Sequence, residues 1–532
     1  MIAFGVLWSS LLILITLGHD GRRIGQMLFL SAPVLMWLAW PVRSRVWQRG
    51  RSIVVCAWAM LFVADAMLRA YLLDAYQAAP DSALVLGAAA NTNVREGSEY
   101  LLMNWRSMVV WSLPVILSGW VFWRAVAHGA TMPARWSRWA IAALCVLLLM
   151  SAVAYASKPW RRLHPAAFWT TWTKSILTLR VSWADQQRER AGVLARARAS
   201  SPFVAHTGPA TVVLVITDSI NRDNMSLYGY GRPTTPRLLA QKEQIGEKMV
   251  VMRNAWSVDA STLPALRNLF SFGVPDDKEP QHLLALARAA GYKVWWMSNH
   301  DDVAVEQKHA RLADVVEMVN RTPGRAGASL DGELLDCIQE ALEDTSERKL
   351  IVVHLMGAHP HYRLRFPAGE NPFDDKVDDV EKGLIDRGRS MWVRKFRQEY
   401  DAAMLYHDFV VAKTLDLTRT VGQAGDYRAW MYLSDHGQEV GHVSDKAGHS
   451  PSTASGYRIP MLLWRNREES SSSSSAQPGL GDRPFRADWA GWTMAELLHL
   501  KWTGESRVRN VLDPAYVWRA PTLPMQVDSF EK

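Results

Sequence analysis

Cysteine is close to absent: 532 residues hold three, Cys56, Cys145 and Cys337. Two lie inside apolar runs and the third stands alone in a helix-like stretch, which excludes a disulfide framework and a cysteine-ligated metal. That scarcity does not exclude an extracytoplasmic location. Zinc knuckles, helix-turn-helix signatures and other nucleic-acid modules are missing too, so the formal net charge of +8 needs a partner other than nucleic acid. Long apolar runs are scarce after residue 157, although 49% of the chain is hydrophobic and 25 residues are Trp. The apolar excess therefore belongs to one end of a chain whose length suggests two to four domains. Much of the positive excess sits in short loops between apolar runs, and a membrane explains it better than a polyanion.

Five segments read as membrane-spanning helices: Ile2–Gly18, Gln26–Trp40, Ser52–Leu73, Ser107–Ala127 and Trp139–Ala156. A span needs about 20 apolar residues, and the second is short of that. The first resembles a signal peptide but lacks a strongly basic start and a clear cleavage site, so it reads as a retained anchor. Arg43, Arg45, Arg49 and Arg51 follow the second span, and Arg124, Arg135 and Arg138 follow the fourth. The positive-inside bias puts both loops in the cytoplasm. The loop from Asp74 to Arg106, and everything after Ala156, is then outside; only Arg22 and Arg23 run against this orientation. Asp65 lies within the third span, where an acid is either functional or paired inside the bundle, here with Arg69 one turn on. Residues 1–157 are thus expected to form an all-α transmembrane anchor. Residues 158–200, with Trp160, Trp169, Trp172 and Trp183 among bases, read either as an interfacial amphipathic helix or as a solvated linker helix.

Residues 201–532 have the pattern of a soluble α/β domain with a mostly parallel sheet. Strand-like runs at Val212–Ile216, Lys293–Met297, Leu350–Leu355 and Trp430–Leu433 alternate with helical ones at Gln281–Ala290, Gly332–Leu342 and Arg397–Leu415. A last helix is expected at Trp489–Leu500. The run Ser470–Ser475, within residues 466–484, reads as a flexible insertion.

Each strand-like run ends on polar residues. The first leads to Asp218, the second to Asn299, His300 and Asp301, the third to His354, His359 and His361, the fourth to Asp435, His436 and His442. Ligands bind at the carboxyl edge of open α/β sheets, so parallel strands would bring these groups together. One such group alone can be a turn cap; four together favour a metal site. Carboxylates mixed with imidazoles suit zinc, or manganese as the harder choice, rather than calcium. Gly437 after Asp435-His436 permits a tight turn that aims both at one ion. In SVDASTLPALRNLFSFG, Thr262 precedes Pro264 and a helical run, so it is expected as the N-cap. Its hydroxyl is either an ordinary cap or a nucleophile activated by the metal. Ser257, Asp259 and Ser261 are rivals for the role.

The stretches ITDSINRDNMSLYGYGRPTTP, STLPAL, HLMGAHPHYRLRFP, YDAAMLYHDFV and SDHGQEVGH…GHSPSTASGYRIPMLLW, between Thr211 and Trp464, resemble the phosphoethanolamine transferase family. That family belongs to the alkaline phosphatase and sulfatase superfamily, and its members carry a five-helix anchor. The resemblance implies a zinc held by Asp218, Thr262, Asp435 and His436. It implies that His359 and His449, with His442 or Asn299 beside them, serve the phosphate or a second zinc. Thr262 would attack phosphatidylethanolamine, forming a phosphoethanolamine-threonine intermediate. Lipopolysaccharide core, lipid A or another envelope glycan would then accept the group, at the periplasmic face of a bacterial inner membrane. Three features depart from many members: Asp218 stands where Glu is common, disulfides are absent, and Asp259 replaces a Thr. The STLPAL form looks more like the members that modify the core. The alternatives are a glycerol-phosphate transferase or phosphodiesterase on the same scaffold, and a non-catalytic, membrane-anchored binding protein. A sulfatase is disfavoured because no C-x-P-x-R stretch occupies the Thr262 position.

Overall fold

The computed structural model describes residues 2–39, 42, 44–76, 78–92, 94–127, 137–184, 187–273, 280–300, 303–321, 329–466, 479–527 and 529–530. Trp40, Arg43, Arg135, Asp301 and the Ser470–Ser475 run lie outside the described residues. The chain divides into two compact units, Met1–Val181 and Ser182–Lys532.

The first unit is helical. Its long helices are Ile2–Gly18, Gly21–Met36, Arg45–Tyr76, Trp105–Ala127 and Arg138–Ala156. By length and composition, Arg45–Tyr76 and Trp105–Val126 can cross a membrane; Trp8–Gly18 and Ile141–Ala156 are shorter apolar stretches. Leu11, Ile15, Leu30, Phe62 and Phe122 form its buried core. Leu113, Ile116 and Trp120 stay exposed on one helix, as a lipid-facing surface would. A Cβ at Gly18 would lie 2.0 Å from the Ala66 carbonyl oxygen, so glycine is what lets these two helices touch. Asp65 is buried and more fully paired than the sequence implies. It accepts hydrogen bonds from Arg69 Nε (3.0 Å) and Trp169 Nε1 (2.8 Å), and His19 Nε2 lies 3.1 Å away. Residues 74–106, read as a loop, contain the helices Ala83–Asn91 and Val94–Met103. The Ser82 hydroxyl caps the first, and its Ala-Leu-rich composition favours helix without any need for amphipathic period. The stretch read as one linker helix is three: Lys158–Arg161, Pro165–Ala184 and Gln187–Ala199.

The second unit is built on a seven-stranded mixed sheet. In spatial order its strands are Met249–Val251, Met461–Arg465, Tyr427–Ser434, Ala210–Thr217, Arg348–Leu355, Lys293–Ser298 and Val315–Met318. Ala210–Thr217 lies parallel to both neighbours, and the Lys293–Ser298 pairs are parallel too. Met461–Arg465 is antiparallel to both of its neighbours. All eight residues of Ala210–Thr217 are buried, which is why its sequence is a continuous apolar run rather than an alternating one. Helices cover both faces. Trp430 Nε1 and Tyr432 meet Thr414 and His407 of the long helix Met391–Thr420. On the other face Leu214, Ile216, Met431 and Leu433 share a core with Leu266, Leu269, Leu284 and Met494. Register aligns the strand ends: Thr217 is opposite Leu355 and Ser434, and Ser298 is opposite His354. Asp218, Asn299, Met356 and Asp435 are therefore delivered to one carboxyl edge.

Candidate metal and nucleophile centre

Asp218 follows the central strand directly and is buried. Ser219 after it takes the left-handed conformation, φ 63°. Tyr400 holds that turn: its hydroxyl donates to the Ser219 carbonyl (2.7 Å) and accepts from the Asn221 amide (2.9 Å). Strain kept in place by neighbours at a strand end is a mark of functional edges.

Three elements converge on the Asp218 carboxylate. The Thr262 hydroxyl donates to Oδ2 at 2.8 Å, and the Ser219 hydroxyl donates to Oδ1 at 2.6 Å. His436 Nε2 is 3.7 Å from Asp218 Oδ1 and 3.7 Å from Asp435 Oδ2. Asp218, His436 and His449 each offer a ligand atom within 4.8 Å of the others. Thr262 is not the N-cap that the sequence suggested. It is the first residue of the helix Thr262–Phe270, and Ser261 precedes it as the cap. Its hydroxyl is thereby turned to Asp218 instead of to its own helix.

The protonation pattern fits a cation. His436 donates from Nδ1 to the Gly437 carbonyl (2.8 Å), which points Nε2 at the two carboxylates. Burial works against its charged form, but Asp435 and Asp218 raise its pKa above the ordinary imidazole value, so positive charge is favoured at this position. Asp435 Oδ1 accepts from the amides of Ser219 and His436. Among the described residues, Asp435 Oδ2, His436 Nε2 and His449 Nε2 are buried with no hydrogen-bond partner. Acceptors left unsatisfied beside a buried carboxylate are costly unless a positive ion completes them. This donor set, two carboxylates and two imidazoles around a hydroxyl, suits zinc. Burial would raise Asp218, yet His359, His436, His300 and His449 hold it well below the usual carboxylate range. Burial, aided by the charge of Asp218, pushes Asp435 up to about 7. Burial pulls His449 down to about 4 and His359 to about 3, so both rings are neutral at neutral pH.

Gly437 matters for a different reason from the one its place in a turn suggested. A Cβ there would sit 2.2 Å from the Ser455 carbonyl oxygen, so glycine permits close approach of two chain segments. Ser257, a rival nucleophile in sequence, donates to the carbonyls of Asp435 (2.6 Å) and Asp259 (2.8 Å). Asp259 accepts from Asn268 Nδ2 at 2.7 Å.

The remaining candidates divide. His359 stands at right angles to His449, ring centroids 6.3 Å apart, and so borders the cluster. His442 does not join it: its Nε2 meets Asn224 Oδ1 at 2.7 Å, in a network running to Asp401. Asn299 also turns elsewhere, its amide donating to the Ser329 carbonyl and to Asp331 Oδ1. His300, next in sequence to Asn299, is the residue that reaches the edge. Its Nε2 lies 3.9 Å from Asp218 Oδ2, and its ring stacks on His354 at 4.1 Å. Alternation along an extended strand end separates the two neighbours, a signal readable only once the strand's last residue is known.

A family model described as Sulfatase matches residues 210–480. Phosphoethanolamine transferase EptC of Escherichia coli (strain K12) is 27% identical over 464 residues, covering 81% of this chain and 78% of the relative. The crystal structure of the C-terminal periplasmic domain of EcEptC from Escherichia coli, in complex with Zn, is 28% identical, with a TM-score of 0.53. That match covers 60% of this chain and 90% of the other. The integral membrane protein lipooligosaccharide phosphoethanolamine transferase A (EptA) from Neisseria meningitidis shares the fold over 96% of this chain and 97% of its own. Its TM-score is 0.56 and its identity 19%.

Proposed function

Because this chain belongs to the sulfatase family, we propose that its metal edge transfers phosphoethanolamine from phosphatidylethanolamine to a cell-envelope glycan. One observation carries the reading: a threonine hydroxyl donates at 2.8 Å to a buried carboxylate whose neighbours are unsatisfied metal-ligand atoms. The likeness to EptC of Escherichia coli supports the substrate class.

Asp218, Thr262, Asp435 and His436 would hold zinc, with His449 beside them; manganese is the alternative. Bound there, the ion lowers the hydroxyl pKa and offsets charge on the transferring phosphoryl group. Asp218 orients the Thr262 oxygen through the hydroxyl hydrogen bond. Thr262 Oγ attacks phosphorus, the phosphorus–oxygen bond to the glycerol breaks, and diacylglycerol leaves with the proton. An acceptor hydroxyl or phosphate oxygen then attacks the phosphothreonine and restores Thr262. His359, neutral and at the edge of the cluster, is placed to donate to a phosphoryl oxygen. Asp435, pushed up to about 7 by burial and the charge of Asp218, would hold the cation in its ionised form.

The helical first unit would be a five-span inner-membrane anchor carrying a periplasmic catalytic domain, residues 201–532; Arg45–Tyr76 and Trp105–Val126, long and apolar enough to cross, support this. The acceptor is lipopolysaccharide core or lipid A; the STLPAL stretch and the likeness to EptC favour the core.

The test uses the full-length protein in vesicles with labelled phosphatidylethanolamine and lipopolysaccharide. Diacylglycerol release, plus a gain of one phosphoethanolamine on core fragments by mass spectrometry, supports the reading. Transfer from phosphatidylglycerol instead points to a glycerol-phosphate transferase. Headgroup release without acceptor modification points to a phosphodiesterase.

A further inference from the structure

Asp331 lies in none of the motifs that carry the site, yet it is 6% exposed and holds the loop that presses on Asp218. Its Oδ1 accepts from the Met356 amide (2.9 Å) and from Asn299 Nδ2 (2.9 Å). Its Oδ2 accepts from the Gly357 amide at 2.8 Å. Two consecutive backbone N–H groups thus grip one buried carboxylate, just past the end of the Arg348–Leu355 strand.

The gripped loop touches the metal edge directly. The Ala358 amide donates to the Asp218 carbonyl at 3.1 Å, and the His359 amide donates to the Met356 carbonyl at 3.0 Å. Gly357 has φ 55°, and a Cβ there would meet Thr217 Oγ1 at 2.2 Å and the Asp218 carbonyl at 2.6 Å. Room at this contact is therefore set to within a fraction of a methyl group. Asn299 belongs to the same clamp. The Ser329 hydroxyl donates to its Oδ1 at 2.6 Å while its amide bonds Asp331. That gives Asn299 a use that its position beside His300 alone did not indicate.

We propose that Asp331 is a positioning residue for the metal centre, seating the Met356–His359 loop so that Asp218 and His359 face the ion. It touches neither substrate nor ion. The inference rests on the metal-dependent reading above. Ligand positions must hold to about 0.2 Å for tight zinc binding, and loss of a residue that orients a ligand typically weakens affinity 10–100-fold.

Asp331→Asn replaces one acceptor oxygen with an NH2 group that opposes a backbone N–H. The full-length protein and this variant would be compared by zinc content, by zinc affinity against a competing chelator, and by turnover at rising zinc. The variant should bind zinc at least about tenfold more weakly, and excess zinc should restore most of its turnover, because every ligand is still present. A purely structural role would lower thermal stability without this zinc-dependent recovery. Gly357→Ala, which displaces the same loop from its other side and leaves Asp331 intact, should show the same zinc dependence. Wild-type zinc affinity in either variant overturns the proposal. So does a turnover loss that persists with zinc fully bound. Failure of the wild-type protein to bind zinc overturns the metal-dependent reading itself, which separates the two outcomes.

Discussion

A methyl group added at Gly437 tests how tightly the metal edge is built. The Cβ of Gly437→Ala would lie 2.2 Å from the Ser455 carbonyl oxygen, 3.0 Å from that of Arg458 and 3.2 Å from the Gly456 carbonyl carbon. All three neighbours are backbone, so no rotamer change relieves the contact. Ordinary carbon–oxygen contact needs roughly 1 Å more, and the chain itself has to supply it. Gly437 also donates its amide to the Gly456 carbonyl (2.9 Å) and accepts His436 Nδ1 on its own carbonyl (2.8 Å). Overpacking costs about 1–3 kcal/mol and one weakened hydrogen bond about 1 kcal/mol, so destabilisation of about 2–4 kcal/mol is expected. For a unit as large as Ser182–Lys532 that is a fall in Tm of about 3–5 °C. Zinc affinity should fall as well, by about 10–100-fold, because the bond that fixes the His436 tautomer is disturbed. Thermal scans and chelator-competition titrations measure the two separately. Gly425→Ala, where a Cβ meets nothing within 4 Å, is the control and should match wild type. A Gly437→Ala protein with wild-type zinc affinity would refute the claim that this close approach sets the ligand geometry.

Thr262→Ala should reduce transfer by at least about 10³-fold while zinc binding falls far less, and intact-mass spectrometry should find no phosphoethanolamine adduct. An adduct elsewhere on the chain would remove Thr262 as nucleophile. Zinc affinity should depend on pH through Asp435, which burial and the charge of Asp218 push up to about 7 in the metal-free protein. Its folded-state value lies above the ordinary one, so the carboxyl is protonated below about pH 7 and zinc must displace that proton. Affinity should therefore weaken as pH falls through 7 and level off above it, with proton release on binding, and Asp435→Asn should flatten the profile. A flat profile in the wild type would contradict the assignment. In the helical unit, Asp65→Ala leaves the buried Arg69 guanidinium without its carboxylate and should cost about 3–5 kcal/mol in detergent-solubilised protein. The Asp65→Ala, Arg69→Ala pair should be less damaging than the single change; strict additivity would show that the two do not act as a pair.

Much of this centre is written locally. Val212–Ile216 is a continuous apolar run because a parallel central strand is buried on both faces, and Asp218 is where that run stops. Asp435-His436 and the Leu350–Leu355 run carry the same signature, so the edge where chemistry collects is predictable before any coordinates are known. The helices of residues 74–106 were not visible in that way. Ala83–Asn91 favours helix by composition without an amphipathic stripe, and charge in the segment points to a loop. Thr262 stands out in STLPAL as either a cap or a nucleophile, but its helical position and its hydrogen bond to Asp218 depend on how a helix packs across the sheet.

Local pattern, then, determined the strands and the kinds of polar residue at their ends, because burial on one or both faces imposes a period that short stretches must obey. Tertiary structure alone decided which of those polar residues meet. It chose His300 over Asn299 for the Asp218 side, turned His442 away to Asn224, and brought Asp331 beneath a loop 25 residues further along the chain. Such choices rest on close approaches at Gly357 and Gly437, and on side chains hydrogen-bonding across strands far apart in sequence. Neither leaves a periodic trace, since contact between distant segments is set by the packing of the whole sheet and its covering helices.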